Sequence, residues 1–240
     1  MKLRRPLLTV VVLVCAAALH AQEKLPPAPP LVTGEPFTAE RVVTTLLVLG
    51  NDSTIRHQSS SFQARDSAGR QFQSWEAQSD PLRPETRHTF YDLYDPNTRT
   101  RTSWCSCSKV ATLHHYGEPL PVRPEHQPGT EGMDVYLGPT PESRLKYHGE
   151  DLPPQVIMGV TTRGTRAVRV VKQGMDGNDR DLTTTIDSWY SPELHLALLT
   201  IIDDPVKGKS RLEFTNLKRN EPDPAFFRLP VGYTEREASR

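Results

Sequence analysis

Cys105-Ser106-Cys107 is the most unusual local feature of the sequence. On a strand the two thiols share a face. In a turn they close a very short disulfide loop, which is more reducible than a relaxed bridge. His114 and His115 follow at C-x-C-x6-H-H spacing, and thiolate with imidazole suits copper or zinc. That spacing matches no strong zinc pattern, so no metal is assigned. A local disulfide, a metal or redox site and two incidental thiols remain open readings.

The other chemistry-bearing residues are less ordered. His57, His88, His126, His148 and His195 are scattered and read as surface or internally satisfied residues. Asp176, Asp179, Asp203 and Asp204 lack the alternating ligands and closing Glu of a calcium loop, and read as turn residues. Ser191 lies between Tyr190 and Pro192 without the glycine-flanked turn of a nucleophile elbow. There is no phosphate-binding glycine loop, zinc-protease helix or dinucleotide fingerprint. No catalytic residue is assigned, no cofactor is called for, and an enzyme is the less favoured reading.

The N-terminus sets the compartment. Met1-Lys2-Leu3-Arg4-Arg5 is positive, Pro6 to Leu19 is apolar, and His20-Ala21-Gln22 offers a small residue before a polar one. This is the layout of a secretory signal, with cleavage expected between Ala21 and Gln22 and a second option after Ala18. The apolar run, about 14 residues, is short for a bilayer core of about 30 Å. Val14 before Cys15 argues against a lipid-modified cysteine. Cleavage removes three bases and no acid from a chain with 29 Lys+Arg and 29 Asp+Glu, leaving a slight acidic excess. That excludes the concentrated positive surface nucleic acid demands, and adhesion to anionic lipid through charge alone. Only Cys105 and Cys107 of three cysteines survive the cut, so a hydrophobic core must hold the fold. No further stretch reaches transmembrane length, and the mature chain is expected to be periplasmic or extracellular.

Residues 22–36 hold four prolines within Pro26 to Pro30 and predict a polyproline tether outside the fold. Residues 37–234 predict one β-rich domain. Val42 to Leu49, Thr54 to Arg65, Arg70 to Gln78, Arg87 to Tyr94, Thr98 to Trp104 and Lys109 to His115 read as a meander punctuated by turn residues. Residues 116–143 have no period and predict a long mobile loop or cover. Gln155 to Val160, Thr165 to Val171, Leu182 to Tyr190, Leu194 to Ile202 and Arg211 to Leu217 resume the alternation. Leu194 to Ile202 is the most apolar and is expected at the centre. Helix candidates are short, around Thr38 to Val43 and Pro222 to Phe227, and residues 235–240 read as a frayed tail. The fold class is therefore mainly β: a curved antiparallel sheet with few short helices.

Trp189-Tyr190-Ser191-Pro192-Glu193-Leu194, the Asp204-Pro205 turn and Thr215-Asn216-Leu217 resemble the C-terminal half of uncharacterised secreted proteins of soil bacteria. Glu221-Pro222-Asp223-Pro224-Ala225-Phe226-Phe227 followed by Leu229-Pro230-x-Gly232-Tyr233 resembles the close of the lipoprotein-carrier superfamily, LolA and LolB with the regulators RseB and MucB. The resemblance implies a half-barrel around an apolar cavity and supplies no catalytic residue. The leading functional expectation is a non-enzymatic envelope protein. Its curved sheet would bind an apolar small molecule, a lipid or another envelope protein. The rivals are an exported metal or redox protein using Cys105, Cys107, His114 and His115, and a structural or adhesive module. N-terminal sequencing of the exported protein is expected to begin at Gln22.

Overall fold

The computed structural model describes residues 25–119 and 148–238. The expected signal region, with Ala21 and Gln22, lies outside them, as do residues 120–147, which hold most of the expected loop or cover. Twelve strands form one sheet: β1 Phe37–Val48, β2 Thr54–Arg65, β3 Gln71–Gln78, β4 Arg87–Asp95, β5 Thr100–Cys105, β6 Val110–His115, β7 His148–Ile157, β8 Val160–Val171, β9 Leu182–Ser191, β10 Leu196–Asp204, β11 Gly208–Lys218 and β12 Thr234–Glu237. Their order is β12-β6-β5-β4-β3-β2-β1-β11-β10-β9-β8-β7. Each neighbouring pair is antiparallel except β12 on β6. The expected mainly β, curved antiparallel architecture is what the chain adopts. The described residues contain two 3-10 turns, Pro84–Thr86 and Pro224–Phe227, and no α-helix.

Several local expectations give way. The helix candidate at Thr38 to Val43 lies inside β1, where Val42, Val43, Thr44 and Thr45 favour extended backbone and strands on both sides supply ladder bonds. The start of the tail read as frayed is a strand: Thr234 to Glu237 pair with Val110 to Leu113. The apolar strand β10 lies off centre, and the middle belongs to β1 between β2 and β11. β7 starts earlier than its apolar residues suggest. Pro153 and Pro154 fit because β7 is an edge strand with a bulge between Leu152 and Gln155, where missing donors are tolerated. Met158 at φ 48° and Gly159 at φ 78° then turn directly into β8.

The proline-rich segment also belongs to the fold from residue 25 onward. Gly117 N–H donates to Pro26 O at 2.8 Å, Gly34 N–H donates to Ser67 O at 3.0 Å, and Ala28 is buried. Its backbone groups thus bond to the sheet's turns and not only to water.

The register separates two apolar cores. Cross-strand partners share a face and residues alternate along each strand. Phe37, Ala39 and Phe214 point to one face, where they pack with Val160, Leu194 and Leu198 from the adjoining strand ends and turn. Phe62, Ala64, Phe72, Leu93, Tyr91 and Trp104 point to the other. There they are covered by Phe226, Phe227, Leu229 and Tyr233 of the segment joining β11 to β12. The sheet therefore changes its buried side at β1 and β2. The C-terminal segment plays the covering part a helix would otherwise play.

Two glycines show what the turns require. Gly174 and Gly208 have similar positive φ, 82° and 81°. A Cβ at Gly174 would meet open space, whereas at Gly208 it would collide with the Leu46 carbonyl oxygen. Gly174→Ala is expected to cost about 1 kcal/mol from backbone strain alone. Gly208→Ala is expected to cost clearly more, by about 1–3 kcal/mol for the forced overlap, read as the difference between the two urea midpoints.

Candidate functional site

The covered face carries the candidate site. Along β2 to β5 the alternation sets Phe62, Phe72, Tyr91 and Trp104 side by side. Tyr91 stacks on Trp104 with centroids 5.3 Å apart and planes at 14°. Phe226 comes down from the C-terminal segment, 5.1 Å from Phe62 and stacked at 5.3 Å on Phe72. Such pairs add about 0.5–1.5 kcal/mol each beyond area burial.

Local chemistry places Phe226. Pro224 presets the first residue of the 3-10 turn, and the Asp223 carboxylate accepts from Ala225 N–H at 2.8 Å. Ser67 ties the approach to the sheet, its hydroxyl donating to Glu221 Oε2 at 2.5 Å and its N–H to Oε1 at 3.2 Å. Beyond the turn, Tyr233 packs edge-on against Trp104 and its hydroxyl donates to Cys105 O at 3.0 Å. The Lys109 ammonium sits 4.7 Å over the Tyr233 ring.

Two open hollows lie on this face, one lined by Phe226 and the other by Phe62, the ring on which Phe226 packs. One, about 290 Å³, is lined by Phe72, Tyr91, Trp104, Phe226 and Tyr233 with Lys109 and Arg228 among its rim residues. The other, about 410 Å³, lies over the β1–β11 bulge between Phe62, Glu40, Asn216 and Lys218. They share no lining residue: the first is a shallow aromatic trough, and the second is more polar. The trough can receive an apolar body and leave a polar end in water.

The residues singled out from the sequence are placed differently. Cys105 ends β5 and is bonded through sulfur to Cys107 in the β5–β6 corner, with Cα atoms 5.2 Å apart. His114 and His115 pair with Arg101 and Thr100, at the far end of β5. At about 3.3 Å per residue that is roughly 13 Å from Cys105, so the four do not form one cluster. His115 Nε2 instead lies 3.0 Å from Glu237 of β12. Among the described residues no group of three or more His, Cys, Asp or Glu side chains is arranged to hold a metal.

His57 and His88 sit on β2 and β4, and His195 follows the buried Leu194 in the β9–β10 turn with φ 50°. His148 opens β7, and His126 lies outside the described residues. Asp204 Oδ1 accepts from Val206 and Lys207 N–H at 2.8 Å each, Asp203 pairs with Lys209, and Asp179 pairs with Arg180. Burial works to raise the Asp204 carboxyl, but those backbone bonds and Thr184 outweigh it and hold its pKa below the ordinary value. Ser191 is buried and its Oγ accepts from Leu194 N–H at 3.1 Å, which makes it a turn cap. The aromatic trough was not legible as a site. Its strand residues show only as alternation, and Phe226 and Tyr233 meet them across more than a hundred residues.

No family model matches the chain, and no curated protein does. Solved structures of similar course include an uncharacterised conserved protein from Thermus thermophilus. It is 8% identical, with 85% of this chain and 91% of that chain covered, at a TM-score of 0.43. A LolA superfamily protein from Nitrosomonas europaea is 9% identical, with 83% and 92% covered, at 0.35. The MucA/MucB complex of Pseudomonas aeruginosa is 10% identical at 0.35, with 82% of this chain and only 56% of that chain covered. None of these reaches a TM-score of 0.5, so nothing about function passes from them to this chain.

Tyr233→Phe removes the bond to Cys105 O and keeps the ring. It is expected to lower global stability by only about 1 kcal/mol. Hydrogen exchange should rise selectively at Thr234 to Glu237, since that hydroxyl pins the start of β12.

Proposed function

We propose that the protein is an exported, non-enzymatic binder of the cell envelope. Its covered sheet face receives an apolar ligand, either a small amphiphilic molecule or the apolar side chains of a partner protein. The observation that carries this reading is the aromatic trough beside Phe226. Tyr91, Phe226 and Tyr233 stay half-buried around an open hollow that the buried Phe72 and Trp104 also line, with Lys109 and Arg228 among its lining residues. The separation of Cys105 and Cys107 from His114 and His115 weakens the rival metal-site reading. Export rests on the positive, apolar and small-residue order of residues 1–22. A disulfide between Cys105 and Cys107 in the exported protein fits an oxidising compartment.

Trp104 reports on the trough directly. In a variant with Trp75→Phe and Trp189→Phe it is the sole indole. Titration with a fluorescent fatty-acid probe is expected to change its emission, with a Kd on the order of micromolar. Ala225→Arg, which fills the hollow, is expected to weaken binding about ten-fold or more while the far-ultraviolet spectrum stays unchanged. If Trp104 emission ignores every apolar probe, and the exported protein carries no apolar molecule in native mass spectrometry, the ligand reading fails.

A further inference from the structure

On the sheet face opposite the trough, the β5–β6 corner presents a second chemical feature. The Cys105–Cys107 bridge encloses one residue, Ser106. Ser106 and Cys107 are exposed, while Cys105 is half-buried. We infer that this disulfide is a thiol-exchange site, which transfers its oxidation to a dithiol peptide in the exported compartment.

Exchange needs one sulfur open to an incoming thiolate and another able to leave. Cys107 meets the first need by exposure. Cys105 meets the second through Ser108, whose Oγ lies 3.9 Å from Cys105 Sγ. That oxygen accepts from Val110 N–H at 3.3 Å, and its own hydrogen has two acceptors, Val110 O at 3.3 Å and the sulfur. When Cys105 leaves as a thiolate, the hydroxyl turns to the stronger acceptor, since hydrogen bonds to an ionised group are stronger than neutral ones.

The corner also stays in place when the bridge opens. Ser106 N–H donates to Thr89 O at 2.9 Å, Thr89 N–H donates to Ser106 Oγ at 3.0 Å, and Tyr233 holds Cys105 O. None of these bonds uses sulfur, so reduction does not have to unfold β5 or β6. Beside the bridge, Phe90 is the register partner of Cys105 and stacks on Trp75, centroids 5.7 Å apart at 17°. Both rings are only half-buried, which gives an apolar seat for the residues flanking a peptide thiol.

The step balances as follows. A substrate thiolate attacks Cys107 Sγ, a substrate–Cys107 bond forms, the Cys105–Cys107 bond breaks, and its electron pair leaves on Cys105. The second substrate thiolate attacks the substrate's own bridged sulfur and releases Cys107. The peptide loses two electrons and two thiol hydrogens to become a disulfide, and Cys105 and Cys107 gain them. A low-molecular-weight disulfide, such as oxidised glutathione, restores the bridge by the same steps in reverse.

The test uses the full mature chain with its bridge intact, reduced glutathione, and a short synthetic peptide carrying two cysteines beside a leucine. One peptide disulfide is expected to appear for every two protein thiols. Cys105→Ser, challenged with oxidised glutathione, should trap a mixed disulfide at Cys107. Cys107→Ser should form its adduct about ten-fold or more slowly, because Cys105 is the less accessible thiol. Ser108→Ala should slow the intact bridge's reaction several-fold with both probes, and Trp75→Ala should slow only the peptide. A bridge that survives excess reduced glutathione in folded protein overturns the proposal. So does equal adduct formation at the two cysteines. Probe binding at Trp104 is read separately, so failure here leaves the trough untouched.

Discussion

The guanidinium of Arg65 is the constraint on which the arrangement turns. It is buried, it meets no carboxylate at bonding distance among the described residues, and it spends its donors on backbone carbonyls. Nε and Nη2 reach Glu35 O at 3.1 and 2.9 Å, and Nη2 reaches Leu194 O at 2.7 Å. Its planar end lies 5.0 Å over Phe37. Burial pushes its pKa down from the ordinary arginine value, opposed by the nearby Glu35 charge, and arginine has ample reserve to stay protonated. One side chain thus joins the N-terminal segment, the end of β2 and the β9–β10 turn. Take it away and those carbonyls are left dry, which costs more than the net worth of the bonds.

Around that point the sheet changes sides. Phe37 and Phe214 bury against the turn that Arg65 holds, while Ala64, one residue earlier on β2, faces the C-terminal segment. Each half of the sheet is amphipathic in the opposite sense, so each face is part core and part solvated. The trough lies where the C-terminal segment covers its half incompletely. The disulfide corner lies on the reverse of that half, beside rings with no cover from the C-terminal segment.

The fold class was legible because it follows from local pattern. Period-2 alternation with Gly, Asp, Asn and Pro turns gave β2 to β5 and β9 to β11 near their true bounds. The departures came where a partner decided the outcome. Pro153 and Pro154 sit in a strand only because it is an edge. Thr234-Glu235-Arg236-Glu237 is a strand only because β6 offers an open side. The prolines at Pro26 and Pro27 dock only because Gly117 brings its N–H to them. The same holds for the site. Cys105 and Cys107 stood out by spacing, but their distance from His114 and His115 is a matter of register. Phe226 and Tyr233 join the trough only through the crossing of the last segment.

The pairing of β1 carries a consequence for the order in which the chain matures. One neighbour of β1 is the next strand, but the other is β11, with Thr38 opposite Lys218. The groove-side cover and the last edge strand come later still. A nascent chain therefore lacks the second flank of its own middle until β11 has been made. Closing so large a loop is slow, because its entropy is lost before the contacts repay it. A polypeptide built this way keeps its middle strand open on one side until β11 has been made.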